Sequence, residues 1–291
     1  MEKKYENYVM KGKIMSIFVP VKILDRKWAK KFLEGEVYMR SLYDFGIWGR
    51  QEHITDNTLN NDFRGDLFEG AVGAYDNREI LDKFEETETA KKMTVVDDYE
   101  LKYIKVFSMT MMNYIPETNF FERPNRKLQQ FGDTAVIIKD YDKFMELLMS
   151  EIYKQYGENE IFWMDKIDYY KHGDNKILNP VFSKDYGYEW QNELRIAFCE
   201  IEKNRFATGP DFENTYSIIR DTDPCLFKIG NLKDIAVSVP VEDFINLKFP
   251  VGHKFSLIND EDPRGLCANI ISDTKKRIAE FKSIIHKIYF T

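Results

Sequence analysis

Three observations predict an α+β fold, one domain of mixed, mostly antiparallel sheets with flanking helices. Short strand-like segments recur along the chain, only a few stretches carry helical spacing, and no internal repeat or low-complexity linker divides the sequence. At 291 residues the chain is long enough to enclose a sizeable core. Hydrophobic residues make up 43% and charged residues 31%, which excludes a wholly disordered polypeptide. The expected domain spans residues 1–291, with insertions and a C-terminal helix.

Ile14–Leu24 is apolar and β-branched and predicts the first strand. Trp28, Ala29, Phe32 and Leu33 then recur at helical spacing, and Gly35 is placed to stop that helix. Glu36–Leu42 alternates as a second strand. Gly49–Gly73 is rich in Asn, Asp and Gly and reads as loop, while Asp76–Asp98 reads as part helix, part exposed connector. Leu101–Thr110 predicts a strand, and Thr134–Lys139 a shorter one. From Asp142 a helix buries Phe144, Leu147, Leu148 and Ile152 and closes at Gly157. Glu160–Tyr170 predicts a strand before a turn at His172, Gly173 and Asp174. Gln191–Phe198, Leu226–Ile229 and Asp234–Val239 complete the strands, and a last helix starts at Asp273.

A net charge of −7 argues against non-specific binding to nucleic acid or an anionic membrane. Cys199, Cys225 and Cys267 are too few and too scattered for a disulfide framework or a cysteine-rich zinc site. His53, His172, His253 and His286 form no metal-binding pair, so a zinc hydrolase is not expected. The start, MEKKYENYVMKGK, lacks a leader's apolar run, and no stretch approaches the roughly 18 apolar residues of a membrane helix. The expected location is cytoplasmic.

Function concentrates in Phe182–Phe198, FSKDYGYEWQNELRIAF. On a strand, residues i and i+2 share a face, so Gln191, Glu193 and Arg195 are expected on one side and Leu194, Ile196 and Phe198 on the other. Three polar groups on one face line a cleft more readily than a core. Upstream, Arg40 lies in a predicted strand, and Phe107, Ser108 and Thr110 end another.

Taken in order, Arg40, then Phe107-Ser108-Met109-Thr110, then Gln191-x-Glu193 resemble the three motifs of ADP-ribosyltransferases, with Met109 standing where that family usually has Thr. The segment is also similar to an uncharacterised family of bacterial and phage proteins. Those carry an acidic loop, matched here by Asp66–Glu69, and a late F-x-K…E-x-E-x-R pattern, matched by Phe182, Lys184, Glu193 and Arg195. The resemblance implies an ADP-ribosyltransferase-like domain with NAD as substrate and a macromolecular acceptor, protein or nucleic acid, acting away from membranes in conflict between phage and bacterium. It implies that Glu193 stabilises positive charge on the ribose and Gln191 orients the attacking group. Arg40 would bind the phosphates or the nearby ribose, Ser108 and Thr110 would bind ribose or support Glu193, and Phe107 would pack behind them. Tyr43 or Phe45 would stack on the nicotinamide ring.

Each group also has a plain structural reading. Glu193 with Arg195 forms an ion-pairing face on a half-buried strand, Arg40 a salt bridge, and Ser108 and Thr110 satisfy backbone groups. Trp190 then faces away from Gln191 as an anchor, and Cys199 belongs to the core. Two other functional classes stay open: a non-catalytic module that binds a nucleotide or a protein, and a metal-dependent nuclease using Asp62, Asp66, Glu69 and Glu193 beside Lys184.

Overall fold

The computed structural model describes residues 17–47, 69–75, 93–96, 101–115, 120–157, 159–174, 176–203, 216–218, 221–248 and 258–259. In chain order these form β1 (Ile17–Leu24), α1 (Arg26–Leu33), β2 (Glu36–Ser41), β3 (Ala71–Tyr75), β4 (Met93–Val96), β5 (Lys105–Ile115), β6 (Phe120–Phe121) and β7 (Thr134–Ile138). Next come α2 (Tyr141–Tyr156), β8 (Glu160–Lys166), β9 (Asp168–Tyr170), β10 (Lys176–Ile177) and β11 (Ser183–Asp185). The chain continues through β12 (Glu193–Lys203), β13 (Tyr216–Ile218), β14 (Cys225–Lys228), β15 (Ala236–Pro240), α3 (Val241–Ile245) and β16 (Ile258–Asn259).

One large antiparallel sheet organises the molecule, in the order β13-β12-β5-β1-β7-β15, with β8 paired to β12 and β2 to β5. The parallel pair among the described strands is β9 with β11, in a separate small sheet. The expected α+β class, mixed and mostly antiparallel with flanking helices, is therefore what the chain adopts. None of the described helices is long and apolar enough to cross a membrane.

Alternation sets the two faces of the central sheet. Phe107, Met109 and Met111 of β5 join Leu194, Ile196 and Phe198 of β12 in an apolar core that also takes in Phe32 of α1 and Phe144, Leu148 and Ile152 of α2. Glycines punctuate the first helix and the second as expected. Gly35 takes φ +99° after α1, and Gly157 caps α2 with its N–H on the Tyr153 carbonyl. Asp140 starts α2, its side chain accepting from the Lys143 N–H.

The opposite face reads differently along its length. Val106 and Ala197 belong to one apolar cluster with Trp163 and Phe182, and Val19, Val21 and Met112 belong to another. Between those clusters the same face carries Ser108, Thr110, Glu193 and Arg195, aligned because Arg195 pairs with Ser108 and Glu193 with Thr110. This polar break in an otherwise apolar face holds the buried charges of Glu193 and Arg195.

Several boundaries differ from the sequence expectation. The strand predicted over Leu101–Thr110 runs instead from Lys105 to Ile115, because Leu101 and Ile104 turn inward to a second core cluster. The single strand predicted over Glu160–Tyr170 divides at Ile167, which is buried while its N–H donates to the Glu193 carbonyl. Two strands, β3 and β4, occupy parts of the stretches read as loop and charged connector. The expected helix from Asp273, together with Asp62, Asp66, His53, His253, Cys267 and His286, lies outside the described residues.

Candidate functional site

The site begins with a fork. Along one edge of β5, Val106 and Lys105 pair with Arg40 and Ser41 of β2, whereas Thr110 and the residues after it pair with Val21 and its predecessors on β1. On an antiparallel strand, the N–H and C=O of one residue point to the same side, and successive residues alternate. The Met111 N–H points toward β12, where it donates to the Asn192 carbonyl, so Ser108 directs its backbone groups to the forked edge. There the ammonium of Lys22, in β1, donates to the Ser108 carbonyl at 2.5 Å. The same ammonium lies 4.5 Å from the centre of the Phe107 ring.

Burial is incomplete along this stretch only at Ser108. From Lys105 to Met112 every residue of β5 is buried except Ser108, which is half-buried, and Lys22 breaks the buried run of β1 in the same way. Arg40, on the other arm of the fork, is half-buried and donates from Nε to the Tyr38 hydroxyl at 3.3 Å. Since Arg40 pairs with Val106, it stands on the same sheet face as Ser108.

Behind Ser108 lies a buried ionic network. Lys184 donates to Gln191 Oε1 and to Glu193 Oε2, each at 2.9 Å, and sits 3.8 Å from Glu69 Oε2. Arg195 donates from Nε to Glu193 Oε1 at 2.9 Å. Its Nη1 serves Glu69 Oε1 at 2.8 Å and the Val181 carbonyl at 2.5 Å. All five residues are buried, Glu193 to 4% exposure and Arg195 to 1%. Two carboxylates facing two cations leave this quartet formally neutral, the condition under which buried charge is tolerated.

The electrostatics follow from that pairing. Burial by itself pushes the Glu193 carboxyl up, but Arg195, Lys184 and a hydrogen bond from Ser108 outweigh it and hold the acid at about 2. Burial likewise opposes the charged form of Arg195, and Glu193 and Glu69 more than restore it. Burial, then the Glu193 charge, pushes the Tyr169 phenol far up, while its oxygen accepts the Glu193 N–H at 2.9 Å. Glu193 is therefore an ionised carboxylate touching the fork through the Ser108 hydroxyl. Lys22 behaves differently: burial lowers it to about 8, with Glu193 pulling the other way.

The expected residues divide by position. Glu193, Gln191 and Ser108 come together. Gln191 does so from the end of a 3-10 turn, Tyr186–Gln191, and not from the strand; Asn192, at φ 44°, reverses the backbone before β12 starts at Glu193. The face-sharing argument thus holds for Glu193 and Arg195, and Lys184 is what joins Gln191 to them. Thr110 is buried, and its hydroxyl donates to the Gln191 carbonyl at 2.5 Å, a bond that fixes the turn. Phe107 packs behind the site, on the apolar face, 5.6 Å from Phe32. Tyr43 and Phe45 pack against the cluster containing Val106 and Phe182. Trp190 anchors the 3-10 turn by stacking on Phe131 at 5.7 Å. Cys199 is in the core.

Glu69 and Lys184, singled out through the short acidic and late motifs, prove to be direct partners of Glu193 and Arg195. Glu69 is committed to two cations, and among the described residues no group of three His, Cys, Asp or Glu side chains could hold a metal. Lys22 and Tyr169 were missed. A lysine inside an apolar strand, in FVPVKIL, was the available signal for the first.

No family model, no curated protein and no solved structure matches this chain.

Proposed function

We propose that the chain is an NAD-dependent ADP-ribosyltransferase or NAD glycohydrolase built on an ADP-ribosyltransferase-like arrangement, acting in phage–bacterium conflict as the motif resemblance implies. The observation that carries this reading is the lateral order of the three motifs. Arg40, Ser108 and Glu193 stand on three adjacent strands, β2, β5 and β12, and on one face beside the fork.

In this reading the C1′–N bond to nicotinamide breaks and nicotinamide departs with the bonding pair. Positive charge develops on the ribose, as in glycoside hydrolysis. Glu193, ionised across the neutral pH range, supplies the compensating charge, with Ser108 between it and the fork. Water or an acceptor group then adds at C1′ and gives up a proton. Arg40 takes phosphate oxygens by charge-assisted bonds. For Glu193 to meet ribose directly, one cation must yield. Lys184 is the one suited to it, because it reaches Glu69 only at 3.8 Å, whereas Arg195 bonds Glu69 at 2.8 Å and the Val181 carbonyl as well.

A second reading is a non-catalytic nucleotide- or protein-binding module, an inhibitor or sensor of a defence system. It is favoured by the engagement of both Glu193 oxygens and by that residue's 4% exposure. Incubation of the purified protein with labelled NAD⁺ and cell lysate separates the two. The enzymatic reading expects label in a macromolecule or free ADP-ribose; a stable complex with one protein and unconsumed NAD⁺ would support the binder.

A further inference from the structure

We infer that the fork between β1 and β2 is a phosphoryl-anion site, in which the Lys22 ammonium and the Ser108 N–H receive a pyrophosphate or terminal phosphate. The site does not depend on bond cleavage: it stands whether or not a dinucleotide is turned over.

Register interrupts the ladder. The rungs that flank the fork sit at Val106 and Thr110, four residues apart on β5, which is about 13 Å of strand. Ser108 lies midway. Its N–H and C=O point along the forked edge, and Lys22 satisfies the carbonyl, not the N–H. An N–H and an ammonium held side by side favour an anion with several acceptor oxygens.

Charge supplies the sign. Glu69, Glu193, Lys184 and Arg195 balance one another behind Ser108, so the quartet as a whole sets no net charge against an incoming anion. Lys22 is additional to that quartet, and Arg40 stands on the opposite arm of the fork. The cation is also held in place: the Phe107 ring lies under it and the Ser108 carbonyl in front of it. Burial that lowers Lys22 is a cost of keeping an ammonium there, and an anion would offset that cost.

The Lys22 carbon chain starts on the apolar face, since Val21 shares the Ser108 face and neighbours alternate. Its ammonium nevertheless ends at the plane of the sheet, beside the one residue of Lys105–Met112 that is not buried. A lysine needed only for solubility would point to solvent. A strand needing only a closed edge would carry an apolar residue here and extend its pairing.

The test is calorimetric titration of the full chain with inorganic pyrophosphate at pH 7, with ADP-ribose and sulfate as parallel arms. Saturable binding of pyrophosphate is expected, weakened tenfold or more by Lys22→Met and only a few-fold by Lys22→Arg, and unchanged by Lys143→Met on the surface of α2. Tighter binding of ADP-ribose than of pyrophosphate would identify the anion as part of a nucleotide; the reverse would identify a free phosphate. Should Lys22→Met fail to fold, acylation of Lys22 in the unaltered protein is followed by mass spectrometry, and pyrophosphate should slow it. No binding by the unaltered chain, equal binding by a folded Lys22→Met, or acylation indifferent to pyrophosphate would overturn the site. Pyrophosphate binding without NAD⁺ consumption removes the enzymatic reading alone; NAD⁺ consumption without Lys22-dependent binding removes this inference alone.

Discussion

Lys184 and Arg195 hold opposite oxygens of one carboxylate, Glu193, each at 2.9 Å and all three out of water. Glu69 closes the arrangement from a different part of the chain by bonding Arg195 at 2.8 Å. Removing one member leaves a buried charge without its counter-ion, which costs more than the pair itself contributes.

Arg195→Met should therefore be the most damaging change in the network, because it leaves Lys184 alone against two buried carboxylates and removes the donor to the Val181 carbonyl. A loss of about 3–5 kcal/mol is expected by urea unfolding. Lys184→Met should cost less, since Arg195 bonds both carboxylates directly whereas Lys184 reaches Glu69 only at 3.8 Å. A loss from Arg195→Met within about 0.5 kcal/mol of an ordinary surface substitution would contradict the assigned burial.

Acid should weaken the fold through Glu193. Its folded pKa of about 2 lies below the ordinary 4.5, so its contribution is complete above 4.5 and disappears as pH falls toward 2. The gap corresponds to about 3 kcal/mol. In Glu193→Gln, unfolding free energy should vary less steeply between pH 5 and 2, within the range where both proteins fold. Parallel pH curves for the two proteins would refute this.

Lys22 is shifted the same way, so stability again rises with pH, but here because burial disfavours its charged form. Its folded pKa of about 8 lies below the ordinary 10.5, so the unfolded chain binds more protons between those values and stability gains as pH rises through that window. Lys22→Met should lack this rise. Thermal unfolding of both proteins at pH 7, 8 and 9.5 measures it, and identical trends would count against the buried ammonium.

Asn192 makes the turn into β12. At φ 44° it is in the left-handed region, and its amide donates to the Met111 carbonyl at 2.8 Å. Asn192→Ala should cost about 1–2 kcal/mol, and Asn192→Gly less, because glycine keeps the backbone freedom while losing the amide. Equal losses would mean that the amide bond, not the backbone, fixes this turn.

Strands and helices with clean periodicity were legible in the sequence. Phe144, Leu148 and Ile152 announced α2, and Leu194, Ile196 and Phe198 announced the apolar face of β12, since period alone decides which side each residue takes. Gly35 was legible as a stop, although not that a Cβ there would fall 2.0 Å from the Gly230 carbonyl oxygen. The nearness of Glu193, Arg195 and Lys184 could be guessed from one short motif. What Glu69 does could not, because its partner Arg195 is 126 residues away and no local pattern encodes that distance. The fork was equally hidden: it arises from β5 pairing with two different strands, a tertiary choice that leaves only a lysine in an apolar run as its trace.

The most direct test of the enzymatic reading is nicotinamide release from NAD⁺ by the purified chain, alone and with lysate, beside Glu193→Gln at a temperature where both proteins give the same circular dichroism. Time-dependent release by the unaltered chain, lost in Glu193→Gln while ADP-ribose still binds, is the expected result. No release under either condition, or release undiminished in Glu193→Gln, would contradict it.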